Sequence, residues 1–378
     1  MASLWARGSV AVLLLVGVPL CGHAQAKVQV ARDTPACGAC GVSVRTVTVL
    51  EHPEWNVSEF SSVAGRVGKG FFVAPLGPTI YAFDSSGRFQ RTLGRAGQGP
   101  GEFQFIRTLL LNAGDSLLAF DELRRYSMFA PNGRHVRTHS LLYTPTSAMA
   151  FGDGRMALAA PGRRRADAGL PLHLTSSTGQ HLRSFGAVEP ILDPDRPAMG
   201  YRVVAAVNDG TIWTAMIDRY VLEHWDSTGK LLQRIERHAP WFPEPQKARG
   251  HLTNAEGATR RYKLDAPPAP FVRGIEVDMA GRVWVLSGVA DPQWASNNIW
   301  LGEGEAMTST KMNAMYDSIL EEVDPPSGTV LSSLRLPQYV HSLIGRGTLA
   351  AIVDRSSGER VVRILGFGRF PSNSRRTQ

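Results

Sequence analysis

The stretch YAFDSSGRFQRTL (residues 81–93) decides the fold, because four later segments of the chain repeat its design. Each copy has an apolar strand, a turn that contains glycine, and a second strand that opens with a basic or polar residue. The turn glycines of the first four copies are Gly87, Gly133, Gly179 and Gly229, so these copies are 46, 46 and 50 residues apart. The later copies are MFAPNGRHVRTH (128–139), LTSSTGQHLRSF (174–185), EHWDSTGKLLQRI (223–235) and EEVDPPSGTVLSSL (321–334).

A repeat of short strands with a period of roughly 40–50 residues indicates the blades of a β-propeller, each blade being a four-stranded antiparallel sheet. The 38 glycines and 24 prolines among 378 residues suit a turn-rich all-β protein. Continuous apolar runs at 109–111, 203–207 and 283–286 are expected for inner strands that are buried on both faces. The sequence therefore predicts an all-β propeller.

The blade count depends on the last segment of the repeat. Five complete blades are predicted at 58–93, 105–141, 146–185, 201–235 and 271–336, but residues 339–367 supply only three apolar strands. The run VSVRTVTVL (42–50) offers the missing fourth strand, and pairing it with the last blade removes an open sheet edge. We predict a six-bladed β-propeller over residues 42–368, closed by its N-terminal strand. Five or seven blades would require one of these assignments to differ.

The segment GRAGQGPGEF (94–103), which follows the first repeat, resembles the signature of NHL-type six-bladed propellers. In that family the glycine-rich stretch links the outer strand of one blade to the inner strand of the next. A Cys-x-x-Cys pair close behind an export signal is similar to a group of exported bacterial six-bladed propellers without an assigned activity. The resemblance implies the fold, and it leaves the activity open because one fold hosts many functions.

The first 26 residues are predicted to be a signal peptide. Arg7 supplies the positive charge, residues 10–20 form an apolar core too short to span a bilayer, and Ala24-Gln25-Ala26 provides a small-residue cleavage pattern. A membrane anchor is the alternative. We expect an exported protein, periplasmic or extracellular, whose mature chain contains no membrane span.

Residues 27–41 are predicted to be a linker that carries Cys37 and Cys40 in the run CGAC. A disulfide is the expected state of this pair in an oxidising compartment, with redox or metal chemistry as alternatives. Haem attachment is excluded because Gly41 stands where a c-type haem site requires His. Residues 369–378 are predicted to be a disordered tail.

The formal net charge is +8, and arginine contributes most of it, including the run at 163–165. An exported protein rarely meets nucleic acid, so we expect no nucleic-acid partner despite the basic character. An anionic small molecule, an acidic glycan or a protein partner is expected instead. We expect a monomer.

The starts of the inner strands converge on one face of a propeller, around its axis. Counting ten residues back from the first apolar residue of each second strand gives three arginines at one position: Arg107, Arg202 and Arg273. This pattern predicts a cationic pocket that binds a carboxylate, sulfate or phosphate through guanidinium contacts. Alternatively, each arginine pairs with an acid such as Asp121, Glu102 or Glu276. The other predicted pocket residues are Ser61, Thr146, Tyr339 and His341.

An enzyme is the second hypothesis, since six-bladed relatives include calcium-dependent lactonases and lyases that act on modified peptides. Such a metal-assisted hydrolase or lyase needs oxygen or histidine ligands at the axis. The predicted ring contains no carboxylate, and the sequence contains neither a GxSxG elbow nor an HExxH motif. We therefore favour a binding or scaffolding module over an enzyme. No catalytic residue, metal site or cofactor is predicted.

Two insertions, at 237–270 and 288–315, make the fifth blade longer than the others, and both fall on the face of the predicted pocket. Their aromatic residues either stack on sugars or fix the loops to the propeller. The spacing of Met307, Met312, Met315 and Tyr316 predicts a short lid helix, with a cofactor-binding segment as the alternative. The aromatic residues are Trp241, Phe242, Trp294 and Trp300.

Overall fold

A computed structural model describes residues 27–31, 34–37, 41–52, 60–161, 166–186, 201–207, 209–243, 250–253, 261–264, 266–297, 299–302, 308–355 and 357–369. The predicted signal peptide, the arginine run at 163–165 and residues 370–378 lie outside these ranges. No helix within them has the length and apolar character that crossing a bilayer requires.

The described chain is built mainly from β-strands. In chain order they are β1 (Lys27–Ala31), β2 (Val42–Leu50), β3 (Phe60–Arg66), β4 (Gly70–Pro75), β5 (Ile80–Phe83), β6 (Phe89–Leu93), β7 (Ile106–Leu111), β8 (Leu117–Asp121), β9 (Arg125–Phe129), β10 (His135–Ser140), β11 (Ser147–Ala150), β12 (Met156–Ala159), β13 (Leu172–Thr175), β14 (His181–Phe185), β15 (Arg202–Ala206), β16 (Ile212–Met216), β17 (Val221–Trp225), β18 (Leu231–Arg237), β19 (Gly250–Thr253), β20 (Arg261–Leu264), β21 (Phe271–Val277), β22 (Val283–Ala290), β23 (Trp300–Gly302), β24 (Tyr316–Asp324), β25 (Thr329–Leu336), β26 (Ser342–Leu343), β27 (Thr348–Asp354) and β28 (Arg360–Arg369). The helix α1 (Ser309–Met315) precedes β24, where the sequence predicts a short helix.

Six antiparallel sheets of four strands form the blades, and we label their strands A to D from the axis outwards. Blades one to four contain β3–β6, β7–β10, β11–β14 and β15–β18, and blade five contains β21, β22, β24 and β25. Blade six contains β26, β27, β28 and β2. From blade one to blade six, the A strands of consecutive blades contact one another. The predicted six-bladed, all-β propeller is confirmed.

The ring is closed by the N-terminal strand β2, as the sequence predicts. It pairs antiparallel with β28, from Val42 opposite Arg369 to Leu50 opposite Val362. Leu50 is fully buried between blades six and one, whereas Val42 is buried between blades five and six. The N-terminal strand β2 therefore completes the sheet of blade six, whose other three strands come from the C-terminal part of the chain.

Apolar side chains fill each of the six seams between consecutive blades, in six separate clusters. At the closing seam, Phe71 and Val73 of blade one pack against Ile352 and Ile364 of blade six. Burial of one such large side chain contributes about 1.5–3 kcal/mol. Because every blade shares a core with both neighbours, loss of one seam weakens two blades.

Outer strands are also tied to the next blade by hydrogen bonds to its C–D turn. Thr48 Oγ1 of blade six donates to the Ser86 carbonyl of blade one at 2.9 Å. The turn glycine Gly87 allows this close approach, since a Cβ there would lie 2.1 Å from the Val49 carbonyl oxygen. Equivalent bonds run from Arg91 to the Asn132 carbonyl, from Arg183 to that of Thr228 and from Gln233 to that of Pro325.

The described parts of the predicted linker, residues 27–31 and 34–37, contact blades four and five. Strand β1 adds in parallel to β18, the outer strand of blade four, with Lys27 opposite Gln233. Lys27 Nζ then donates to the Pro326 carbonyl of blade five at 2.9 Å, and the Ala36 amide donates to the Val330 carbonyl. Residues 27–31 and 34–37 thus form a strap across blades four and five. Periodicity does not reveal it because five residues are too few to show a pattern.

The propeller has two distinct faces. The loop face contains the starts of the A strands with the D–A and B–C connections, and the turn face contains the A–B and C–D turns. Both insertions of blade five lie on the loop face, as predicted. They meet there in a three-stranded antiparallel sheet, in which β20 pairs with β19 from the same insertion and with β23 from the other.

Candidate functional site

Three of the predicted pocket residues occupy irregular positions at the starts of A strands. The strand register shifts between Phe60 and Ser62, between Ile106 and Thr108, and between Val272 and Gly274. Ser61, Arg107 and Arg273 are therefore the bulged residues of blades one, two and five. A bulge redirects a side chain away from the regular sheet pattern and is frequent next to functional sites.

Arg273, Tyr339 and His341 come together at the seam between blades five and six. Arg273 is exposed, and its Nε donates to the His341 carbonyl oxygen at 2.5 Å. The rings of Tyr339 and His341 are 4.6 Å apart in an edge-on arrangement, and Phe271 lies 6.3 Å from Tyr339. An exposed guanidinium group is thus fixed over an aromatic wall on the loop face.

Arg107 lies on blade two, three blades away from Arg273 around the ring. Its Nη2 atom is 2.9 Å from Glu122 Oε2, and its guanidinium carbon lies 4.6 Å from the centre of the Phe105 ring. Both partners of this ion pair are solvent-accessible, so the pair is worth at most about 1 kcal/mol. Arg107 therefore remains available for exchange with another anion.

Arg202 has a different environment from the other two arginines. Its side chain is only 1% exposed and its Nε donates to Glu223 Oε2 at 3.0 Å. Glu223 also accepts from Arg234 Nη1 at 3.2 Å, which places a buried network of opposite charges inside blade four. In this structure Arg202 does not present its N–H groups at the surface.

The remaining predicted pocket residues differ in exposure. Thr146 is exposed and its Oγ1 donates to the Ala159 carbonyl at 3.1 Å, whereas Tyr339 and His341 are buried. The side chain of Ser61 lies outside the described atoms. The site thus offers two accessible cations, Arg107 and Arg273, and whether they bind a ligand stays a prediction.

The acids proposed from sequence as arginine partners have other contacts. Asp121 pairs with Arg125, Glu102 with Arg95, and the Glu276 carboxylate accepts from a backbone amide on the turn face. The acids that do pair with Arg107 and Arg202 belong to the same blade as their arginine. Pairing the two strands of the predicted hairpin would have identified Glu122 as a neighbour of Arg107. Ile106 lies opposite Asp121, and Arg107 and Glu122 are the next residues in the chain.

His341 carries no positive charge near neutral pH. Burial lowers its pKa from 6.5 to about 3, with a smaller contribution from the neighbouring Arg273. Its Nδ1 accepts from the Ile352 amide at 3.2 Å, which fits a neutral ring. The cationic character predicted for this part of the pocket therefore comes from arginine alone.

Stability should consequently depend on the protonation of His341. The unfolded chain takes up a proton below about pH 6.5 and the folded chain only near pH 3, so stability falls as the pH drops through this window. We expect the slope of unfolding free energy against pH to decrease by up to about 1.4 kcal/mol per pH unit in His341→Gln. Urea unfolding between these pH values measures it, with the exposed His238→Gln as control. Parallel pH profiles for the wild type and His341→Gln would contradict this assignment.

The glycine-rich segment that precedes Arg107 is held in place by Arg125. The guanidinium group of Arg125 donates to the carbonyl oxygens of Gln98 and Glu102, and to the fully buried Asp121 at 3.2 Å. Glu102 folds the segment further by accepting from the Gly99 amide at 2.8 Å. The segment that resembles the NHL signature therefore shapes the loop face beside Arg107.

Blade three contains a serine surrounded by titratable groups. Ser184 Oγ lies 2.8 Å from His173 Nδ1, 2.8 Å from His181 Nε2 and 3.4 Å from Asp167 Oδ2. Such a set could activate a hydroxyl nucleophile in a suitable cleft.

Blade two, however, repeats the arrangement with different chemistry. His135 Nε2 lies 2.9 Å from Thr138 Oγ1, which in turn contacts Ser127 Oγ at 2.8 Å. His135 and His181 occupy equivalent positions of the repeat, as do Thr138 and Ser184. The cluster around Ser184 is therefore a feature of the outer strands of the blades, and we assign it a structural role.

The aromatic residues of the first insertion pack against the propeller. Phe242 stacks on Tyr220 at 5.7 Å between ring centres, and Trp241 lies 5.9 Å from the same tyrosine. Trp294 is partly buried, and the side chain of Trp300 is outside the described atoms, as is Cys40. The Cys37–Cys40 disulfide thus stays a prediction. Over the described ranges, no group of three or more His, Cys, Asp or Glu residues is arranged to hold a metal ion.

Comparisons with known proteins support the fold. The solved structure of a Bacteroides fragilis protein, described as exported without direct demonstration, gives a TM-score of 0.57 at 8% sequence identity. The match covers 90% of this chain and 100% of the Bacteroides chain. Streptogramin B lyase gives a TM-score of 0.43 at 9% identity, covering 86% of this chain and 98% of its own. The WD40 propeller domain of Doa1 gives 0.42 at 11% identity, covering 87% and 98%. The last two similarities are too low to support an inference.

No family model and no curated protein matches the sequence. The NHL assignment therefore rests on the resemblance of residues 94–103 alone. At 8% identity the Bacteroides structure shows a shared fold and carries no information about activity.

Proposed function

We propose that this chain is an exported propeller module that binds an anionic ligand or an acidic protein partner on its loop face. The observation that carries the proposal is the placement of two exposed arginines, Arg107 and Arg273, on bulges at the starts of inner strands. Bulges aim both side chains out of the sheet at the face where all six inner strands begin.

Arg273 is the principal binding residue in this proposal. Among the described residues, Arg273 donates to the His341 carbonyl oxygen and forms no ion pair with a carboxylate. That bond uses Nε and orients the guanidinium plane, while the two Nη groups stay available for a bidentate contact with a carboxylate, sulfate or phosphate. Because Tyr339 and His341 are buried and uncharged, they exclude water from one side of the contact without competing for the anion.

Arg107 supplies the second contact in this proposal. Its ion pair with Glu122 is solvent-accessible, so a ligand anion can replace the carboxylate at little cost. Blades two and five are opposite each other in a six-membered ring, so an anion that bridges both arginines spans the axis. A polyanion such as an acidic glycan, or an acidic loop of a protein, fits two separated cations better than a single small anion.

The predicted domain organisation completes the proposal. Residues 1–26 act as a cleaved signal peptide, residues 27–41 precede the propeller and contain a local Cys37–Cys40 disulfide, and the mature protein is a monomer. Nothing in the described residues favours the metal-assisted hydrolase or lyase over binding.

Binding should be detectable as an anion-dependent rise in thermal stability, because a ligand of the folded state stabilises it by mass action. We expect sulfate, citrate and polygalacturonate to raise the melting temperature, with an effect that decreases as sodium chloride is added. Loss of one charge-assisted contact costs about 1.5–3 kcal/mol, so Arg273→Gln should weaken binding about 10–100-fold. Arg107→Gln should weaken binding of the polyanion more than that of sulfate.

The matched control for these variants is Arg91→Gln, which removes the same charge from an outer strand and leaves the loop face unchanged. Equal anion affinity for the wild type, Arg273→Gln and Arg107→Gln, all folded, would refute the proposed function. An equal loss of anion affinity in Arg91→Gln would also refute the proposed function, because the effect would then come from the net charge of the protein.

A further inference from the structure

A cavity lies on the turn face, at the seam between blades five and six. It has a volume of about 220 Å3 and is lined by residues of both blades. A single water molecule needs only about 10–15 Å3 of such volume, so the cavity has room for a ligand the size of an amino-acid side chain. The cavity is on the opposite face from Arg273 and belongs to no part of the proposed anion site.

One wall of the cavity is aromatic. The rings of Trp284 and Phe367 meet edge to face with their centres 5.0 Å apart, and both side chains are at least nine-tenths buried. The indole Nε1 of Trp284 donates to Asp278 Oδ2 at 3.1 Å, which fixes the ring and places a carboxylate beside it. Aromatic faces next to a carboxylate attract organic cations.

The two arginines in the cavity share one carboxylate. Glu322 is buried, and it accepts from Arg282, from Arg369 Nη2 at 2.8 Å and from Ser332 Oγ at 3.1 Å. The negative charge of Asp278 also acts on Arg282, so the charges of the two arginines and these two carboxylates sum to zero, and neither arginine forms an ion pair with Glu276.

Glu276 forms no ion pair with any cation among the described residues, although the charge of Arg346 acts on it from a distance. Its carboxylate accepts from the Gly347 amide, with N–O distances of 2.8 and 3.1 Å, and no described side-chain cation forms an ion pair with it. Burial raises the pKa of Glu276 to about 7, with a smaller contribution from the charge of Asp278, although the amides of Gly347 and Arg346 and the Arg346 charge favour the ionised form. A partly buried carboxylate without an ion-pair partner among the described residues is what an incoming cation would compensate.

We infer that this cavity is a binding site for a small organic cation, a primary ammonium or guanidinium group on a short apolar stem. The cationic head binds the Glu276 carboxylate with Asp278 close by, and the stem packs on Trp284 and Phe367. Lysine-type or arginine-type side chains and small amines belong to this class. The charged groups that face Glu276 from all packed elements are Asp278, Glu322, Arg282, Arg346 and Arg369.

Binding should strengthen with increasing pH, because the cation binds the ionised form of Glu276. With a pKa of about 7, the ionised fraction rises on the order of thirtyfold between about pH 5.5 and about pH 8.5, and the apparent affinity follows it. The pKa of a guanidinium ligand lies far above this range, so the ligand does not titrate.

The test is a calorimetric titration of the full mature chain with butylguanidinium, compared with its uncharged isostere N-butylurea. We expect saturable binding of butylguanidinium that tightens about thirtyfold over the pH range above, and no binding of N-butylurea. Glu276→Gln keeps an acceptor for the Gly347 amide and should weaken binding at least about tenfold at high pH. The control Glu359→Gln removes an exposed acid elsewhere on blade six and should change nothing.

Three results would overturn the inference: no saturable binding of butylguanidinium to the folded wild type, equal binding of N-butylurea, or an affinity that is independent of pH. Because the pH series uses the wild type, it remains decisive if Glu276→Gln does not fold. Arg273→Gln should bind butylguanidinium normally, so failure of this site and failure of the proposed anion site are distinguishable.

Discussion

Replacement of Arg237 by methionine is expected to destabilise the propeller by about 3–5 kcal/mol. Arg237, at the end of the outer strand of blade four, lies 3.3 Å from Glu321 of blade five, and the two side chains are only 2% and 1% exposed. Methionine fills most of the volume but leaves Glu321 as a buried charge without its partner. Urea unfolding monitored by tryptophan fluorescence measures the change in unfolding free energy.

Two further variants separate the lost charge pair from lost packing. The double variant Arg237→Met, Glu321→Met should recover part of the stability, because neither charge is then buried. Arg360→Met removes a partly exposed arginine that pairs with Asp354 at 3.0 Å, and it should cost less than about 1 kcal/mol. A loss of less than about 1 kcal/mol in Arg237→Met itself would contradict the buried pair.

Removal of the closing strand β2 is expected to have the largest effect of any change. A chain that begins at Glu51 lacks Leu50 and Val42, and so it opens the clusters on both sides of blade six. It also exposes the edge of β28 from Val362 to Arg369. We expect this chain to lose its cooperative thermal transition and to aggregate, because unpaired β edges associate.

The matched control is a chain that begins at Thr34, which lacks β1 and keeps β2. Among its described residues, the strap contributes one buried side chain to the core, Ala31, and its Val28 and Val30 are exposed. We expect this chain to stay folded with a modest decrease in melting temperature. A cooperative, monomeric transition in the chain that begins at Glu51 would show that closure by β2 is not required.

The sequence predicted the propeller and its closure well because both follow from local patterns. Turn glycines such as Gly87 and Gly133 recur at a nearly constant interval since each turn packs on the outer strand of the preceding blade. The apolar run at 42–50 was recognisable as a strand, and the last blade lacked one. Short β1 was not recognisable, because its burial depends on strands 200 residues later in the chain.

The candidate site was only partly predictable. Arg107, Arg202 and Arg273 were identified because they lie at the same position in three blades. Their partners could not be identified in this way, because the choice of partner depends on how far each side chain extends across the twisted sheet. Arg202 is buried where Arg107 and Arg273 are exposed, and the bulges that expose the latter two leave no clear mark in sequence. Glu276 was named only as a possible partner of an arginine, whereas its cavity is completed by Gly347 of the next blade, 71 residues later in the chain.

The central claim is that exposed arginines on the loop face bind anions, and anomalous diffraction from crystals soaked in selenate tests it most directly. Selenate has the shape and charge of sulfate, and its selenium position is visible without interpretation of weak density. The account predicts a selenium peak at the axial end of blade five, with selenate oxygens within hydrogen-bond distance of the Arg273 Nη atoms, and no such peak in Arg273→Gln. Selenate bound only elsewhere on the protein, with Arg273 accessible in the crystal, would contradict the account.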